Sequence, residues 1–140
     1  MSYPIPTWMH DSRLSTIGVS AYIPLTPTPQ HLNINQIPLL WKNVVGQKLD
    51  RFAQQLGKPI LLSELGYRDT AFAGYRPENM YEKEPRDDLE QAALFDAALR
   101  NVVYDTHITG IFIWAWSFPP FAPNGKLAAQ ILHRWYTALR

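Results

Sequence analysis

Three apolar runs, each followed by a stretch of helical periodicity, constrain the fold of this chain more than any other feature. The runs are Thr16 to Tyr22, Pro59 to Leu65 and Thr109 to Ser117. Helices are expected from Pro38 to Leu56, Leu89 to Tyr104 and Leu127 to Leu139. In the first, Leu40, Val44, Leu49, Phe52 and Leu56 recur at helical spacing and Gly57 stops the run. In the second, Asp87 or Asp88 is placed to cap, and Leu89, Ala92, Phe95, Leu99 and Val102 or Val103 form the apolar face. In the third, Ala128, Ile131, Leu132 and Trp135 turn inward. Proline-rich loops follow the first and third runs, and a long loop, Gly66 to Arg86, follows the second.

Such alternation predicts a parallel α/β sheet. Runs that are apolar on both faces fit a sheet covered by helices. Period-two alternation puts Ile17, Val19 and Ala21 on one face and Gly18, Ser20 and Tyr22 on the other. It likewise separates Ile111, Ile113 and Ala115 from Phe112, Trp114 and Trp116. Strict alternation leaves Glu64 on the face of Ile60 and Leu62. Three βα units cannot close a barrel, which needs eight. An open sheet of that size leaves both edges bare. The chain is therefore either a small open sheet with covered edges or the last part of a larger barrel.

The 140 residues suit one domain, expected over 1–140, and 46% hydrophobic with 18% charged residues is an ordinary globular balance. A net charge of +1 with no Lys/Arg-rich run gives no reason to expect nucleic acid as a partner. Absence of cysteine excludes disulfides, thiolate catalysis and Cys-based zinc sites. No apolar stretch approaches the roughly 18 residues of a membrane span, so no membrane role is expected. The segment Met1 to Trp8 lacks the pattern of a signal peptide. Localisation stays open, with the cytoplasm expected if Met1 is the natural start. His10, His31, His107 and His133 show no metal-ligand spacing, and the glycines form no phosphate cradle. No metal site or cofactor is expected.

Glu64 ends the apolar run Pro59-Ile60-Leu61-Leu62-Ser63-Glu64. A charge there is costly unless it is paired or used. A carboxylate at the C-terminal end of a parallel strand is a usual position for catalysis in α/β barrels. The ordinary alternative is an ion pair with a nearby arginine such as Arg68. Aromatic side chains cluster at the other strand ends, as Tyr22, Trp114 and Trp116. Exposed rings stack on the C–H faces of sugars, whereas Trp41 and Trp135 fit helix cores. Arg68, Asp69 and Tyr75 are placed either to line a cleft or to be solvated loop residues. Glu78, Glu82, Glu84, Asp87, Asp88 and Glu90 read as a solvated acidic stretch.

Three segments together resemble the C-terminal portion of glycoside hydrolase family 113, β-mannanase-type enzymes of a retaining (β/α)8 clan. Ile17-Gly18-Val19-Ser20-Ala21-Tyr22-Ile23-Pro24-Leu25 is similar to its sixth strand. Gly57 to Arg68 is similar to the seventh, and Gly110-Ile111-Phe112-Ile113-Trp114-Ala115-Trp116-Ser117 to the eighth. The closing helix, with Arg134-Trp135-Tyr136, also fits. The resemblance implies parallel βα units equivalent to strands 6–8 of a TIM barrel. It implies Glu64 as nucleophile, Tyr22 as its neighbour, and Trp116, with Trp114 second, as the floor of a sugar subsite. The substrate implied is an oligo- or polysaccharide such as β-mannan.

Retaining hydrolysis requires a second carboxyl group about 5–5.5 Å from the nucleophile. In the clan this acid/base comes from strand four, and no segment here corresponds to strands one to five. The resemblance therefore implies half an active site, inactive in isolation. Two other expectations are a non-catalytic carbohydrate-binding remnant and one half of a two-chain barrel completed by an N-terminal segment.

Overall fold

The central strand β2 (Ile60–Leu65) organises the chain in its computed structural model, which describes residues 4–81 and 83–138. Met1, Glu82 and Leu139, invoked above, lie outside the described residues. Strands β1 (Ile17–Ser20) and β3 (Ile108–Ile113) flank β2, and both pairings are parallel, in the order β1-β2-β3. Helices α1 (Ile37–Trp41) and α2 (Gln47–Leu56) connect β1 to β2. α3 (Asp88–Val102) connects β2 to β3, and α4 (Leu127–Ala138) follows β3. The expected partial α/β barrel is present.

The first connection is one continuous helical path with a π-turn at Lys42–Gly46 between α1 and α2. Its buried seam is Ile37, Trp41, Val45, Leu49, Ala53 and Leu56. That seam recurs almost every four residues, longer than the 3.6 of a regular helix, and the wider π-turn helps keep it in phase. Leu40 and Phe52, expected in the core, instead pack beside the seam half-buried. Gly57 ends α2 in the left-handed conformation at φ 64°.

α3 begins as anticipated. The Asp87 carboxylate accepts the Glu90 N–H at 2.9 Å. Its buried side is wider than one stripe, because α1 and α4 both pack against it. Leu94, Ala97 and Ala98 are buried with Ala92, Phe95, Leu99 and Val102, whereas Leu89 is 51% exposed and leaves the predicted face. Trp41 is buried and donates its indole N–H to the Tyr67 hydroxyl at 2.8 Å. Trp135 is only half-buried, with its N–H on Asp96 at 2.7 Å.

Helices cover one face of the sheet, burying Ile17, Ala21, Ile60, Leu62 and Leu65. Gly18, Ser20, Ser63 and Phe112 are exposed on the other. The face expected to be a barrel interior is therefore open. Replacing Asp87 with Ala removes the α3 cap and is expected to destabilise the protein by about 1 kcal/mol. Urea unfolding of the variant beside the wild type measures this.

Candidate active site at the strand ends

One extra residue in β2 places Glu64. Val19 pairs with Leu62, but Ser20 pairs with Glu64, so Ser63 has no partner in β1. The same slip occurs against β3, where Leu62 faces Ile111 and Leu65 faces Ile113. A bulge of this kind turns the following side chain to the opposite face. Leu65 takes the helix-covered position and Glu64 moves from the face of Ile60 and Leu62 to that of Ser20. Glu64 is half-buried there.

Tyr22 lies just past the end of β1, where Ala21 N–H still bonds Glu64 C=O at 2.7 Å. Its hydroxyl lies close enough to the Glu64 carboxylate to feel its charge. Burial first, and then the neighbouring Glu64 carboxylate, push the Tyr22 phenol well above its ordinary range. Tyr22 thus stays protonated beside Glu64. Its ring meets the buried Phe121 ring edge-on, with centroids 6.3 Å apart.

The third strand is shorter than its apolar run. β3 ends at Ile113, and Trp114 N–H makes a last bond to Leu65 C=O at 2.9 Å. Beyond it the chain crosses Gly66, where an added Cβ would stand 2.1 Å from the Trp114 carbonyl oxygen. The Trp114–Ala115 peptide is cis. Trp114 and Trp116 are 44% and 51% exposed. The alternation of β3 puts Trp114 on the face of Phe112, opposite Ile113. Trp116 lines a groove of about 510 Å³ with Phe112, Ala129, Leu132, His133 and Tyr136, between β3 and α4.

Arg68 does not reach the open face as a cleft residue. It is 0% exposed, and its guanidinium donates to Glu84 at 3.0 Å and to Phe72 C=O. It therefore pairs with Glu84 beneath the long loop. Asp69, Asp88 and Glu90 are engaged too. Asp69 pairs with Lys126 at 2.8 Å and Asp88 with Arg86 at 2.8 Å. Buried Glu90 accepts the N–H groups of Phe72 and Gly74 at 3.3 Å. Glu84 and Glu90 are thus structural groups, not members of a solvated stretch.

Sequence reasoning missed three supports. Gly66 admits the Trp114 backbone, Phe121 packs beside Tyr22, and buried Gln91 ties two loops together. The Gln91 amide N–H₂ donates to Tyr67 C=O at 2.8 Å and to Phe121 C=O at 3.1 Å. Only Gly66, directly after Glu64-Leu65, carried a local signal. A glycine at a strand end marks a close backbone approach.

The family description "Glycoside Hydrolase Family 113" matches residues 7–130. Among solved structures, a GH113 β-1,4-mannanase in complex superposes with TM-score 0.68 at 16% identity, covering 89% of this chain and 40% of that one. The GH113 β-mannanase AaManA from Alicyclobacillus acidocaldarius, in complex with ManMIm, superposes with TM-score 0.66 at 20% identity, covering 91% and 40%. The chain thus spans about 40% of the length of these structures. No curated protein matches it.

Two outcomes test the geometry. Gly66→Ala forces the Trp114 carbonyl to move, and is expected to cost about 1–3 kcal/mol and to shift the tryptophan fluorescence. Glu64→Gln removes the charge facing Tyr22, so the Tyr22 pKa falls but stays above the ordinary value of about 10, because burial remains. A tyrosine whose folded pKa is raised contributes stability below its unfolded pKa and loses it as pH rises through the folded value. NMR titration of the Tyr22 ring carbon in both proteins reads the shift.

Proposed function

The chain belongs to glycoside hydrolase family 113, and on that premise we propose that Glu64 is the nucleophile of a retaining hydrolysis of a β-linked mannan. The observation that carries this reading is the bulge at Ser63, which presents Glu64 to the open face beside the Tyr22 hydroxyl. In that reaction Glu64 attacks the anomeric carbon and the glycosidic oxygen leaves as it is protonated by a second carboxylic acid. Water then releases the sugar from the glycosyl–enzyme ester. Tyr22 keeps its proton and orients the attacking oxygen.

Trp114 is proposed as the sugar platform. It follows β3 directly, on the open face, and its carbonyl is seated against Gly66, two residues from Glu64. Trp116 belongs to the groove along the β3 edge, where a further parallel strand would pack.

Residues 1–140 are proposed to act as one partial barrel unit. A chain spanning about 40% of its structural relatives supplies the nucleophile half of the site. Complementary βα units, on the same polypeptide or another, would supply the acid/base. Loss of one member of such a pair commonly lowers turnover by several orders of magnitude, so the 140 residues alone are expected to bind mannan without appreciable turnover.

The test is binding of a manno-oligosaccharide to the purified chain by calorimetry, with hydrolysis followed in parallel. Trp114→Ala is expected to weaken binding about tenfold, in keeping with the worth of ring stacking, and Glu64→Gln to change it little. Rapid hydrolysis by the 140 residues would overturn the half-site reading. Unchanged binding in Trp114→Ala would remove Trp114 from the platform.

A further inference from the structure

Three side chains that sequence spacing could not connect meet at the opposite end of the sheet. Asp50 lies on α2, and Asp105 and His107 lie in the turn between α3 and β3. His107 Nδ1 stands 3.2 Å from Asp50 Oδ1 and 3.3 Å from Asp105 Oδ1. One ligand atom from each residue lies within 4.8 Å of the others.

The backbone holds them in place. His107 N–H bonds Asp105 Oδ1 at 2.8 Å, and His107 C=O accepts from Ile60 N–H at 2.8 Å, where β2 begins. All three are partly covered, with side-chain exposures of 39%, 40% and 15% for His107, Asp50 and Asp105. Solvent reaches them through two cavities. One of about 310 Å³ is lined by Asp50 and Asp105, and one of about 410 Å³ by His107.

We propose that Asp50, Asp105 and His107 bind one zinc-class divalent cation, clamping α2 to the entry of β3. The donor separations carry the argument. Zinc bonds of about 2.0–2.1 Å to nitrogen and oxygen give a tetrahedron with edges of about 3.3–3.4 Å, and the two His107 separations match that edge. The imidazole can donate a single Nδ1 proton, so it cannot satisfy both carboxylate oxygens equally, whereas a cation attracts all three donors at once. One imidazole and two carboxylates are a borderline donor set. It suits zinc better than calcium or magnesium, which favour six or more oxygens. The fourth corner opens toward the cavities for water. Lys42 and Arg100 also line the smaller cavity, and Arg100 is held by Asp96 at 2.9 Å. The site stands at the N-terminal end of β2, whereas Glu64 is near its C-terminal end, so it is independent of the glycosidase reading. At that end of a barrel, bound metal acts on stability.

The experiment is calorimetric titration of the chelator-stripped chain with zinc chloride, beside magnesium and calcium chloride. One equivalent of zinc is expected to bind at micromolar affinity or tighter and to raise the melting temperature. Asp50→Asn and His107→Gln are each expected to weaken binding about tenfold or more. His31→Gln, which alters the separate His31, Asp87 and Glu90 cluster, is expected to leave it unchanged. In the unaltered protein, zinc should shift the His107 Nδ1 resonance, a readout that needs no variant to fold. Absence of saturable binding below millimolar zinc, full affinity in both Asp50→Asn and His107→Gln, or an unmoved His107 resonance would overturn the proposal.

Discussion

If β2 kept strict alternation, Glu64 would share the helix-covered face with Ile60 and Leu62, an unpaired charge in an apolar layer. The unmatched Ser63 prevents this. It keeps Leu65 in the core and sends Glu64 to the open face, at the cost of one interrupted step in each ladder. The closeness of Glu64 to Tyr22 and the last bond of Trp114 to Leu65 both depend on that slip. The site is therefore built by strand register more than by the loop that follows.

That loop, residues 66–86, has no helix or strand among its described residues, yet it is fixed from several sides. Ala71 N–H bonds Pro85 C=O, Asp87 N–H bonds Asp69 C=O, and Asp69 N–H bonds Pro120 C=O, at 2.8, 2.8 and 3.0 Å. Leu25 N–H reaches Gly74 C=O at 2.8 Å from the loop after β1. With the Arg68–Glu84 pair and the Gln91 amide, these bonds join the three loops at the C-terminal strand ends into one support. Rigid loops on a parallel sheet are the setting in which side chains hold the geometry that chemistry requires.

Much of this was legible in the sequence. Apolar runs and helical periodicity located all three strands and the helices, Gly57 marked the end of α2, and Asp87 marked the start of α3. Glu64 stood out because its charge ends an apolar run. What could not be read depended on neighbours distant in sequence. The bulge is defined only against β1 and β3, so alternation alone put Glu64 on the wrong face. Arg68 read as a loop cation because its burial partner, Glu84, is sixteen residues away. β3 read too long because Trp114 to Trp116 remain apolar after the ladder ends. The convergence of Asp50 with His107 spans 57 residues and leaves no local pattern.

The two ends of β2 take different proposed roles, a metal clamp at its start and carboxylate chemistry at its close. The central claim is that Glu64 faces the open side as a nucleophile. The most direct test is peptide mass spectrometry after incubation with a 2-fluoro-mannosyl fluoride, whose leaving group needs no acid catalyst. The account predicts a covalent mannosyl adduct on the peptide carrying Glu64, absent from Glu64→Gln. A folded, mannan-binding chain that carries no adduct at Glu64 would contradict it.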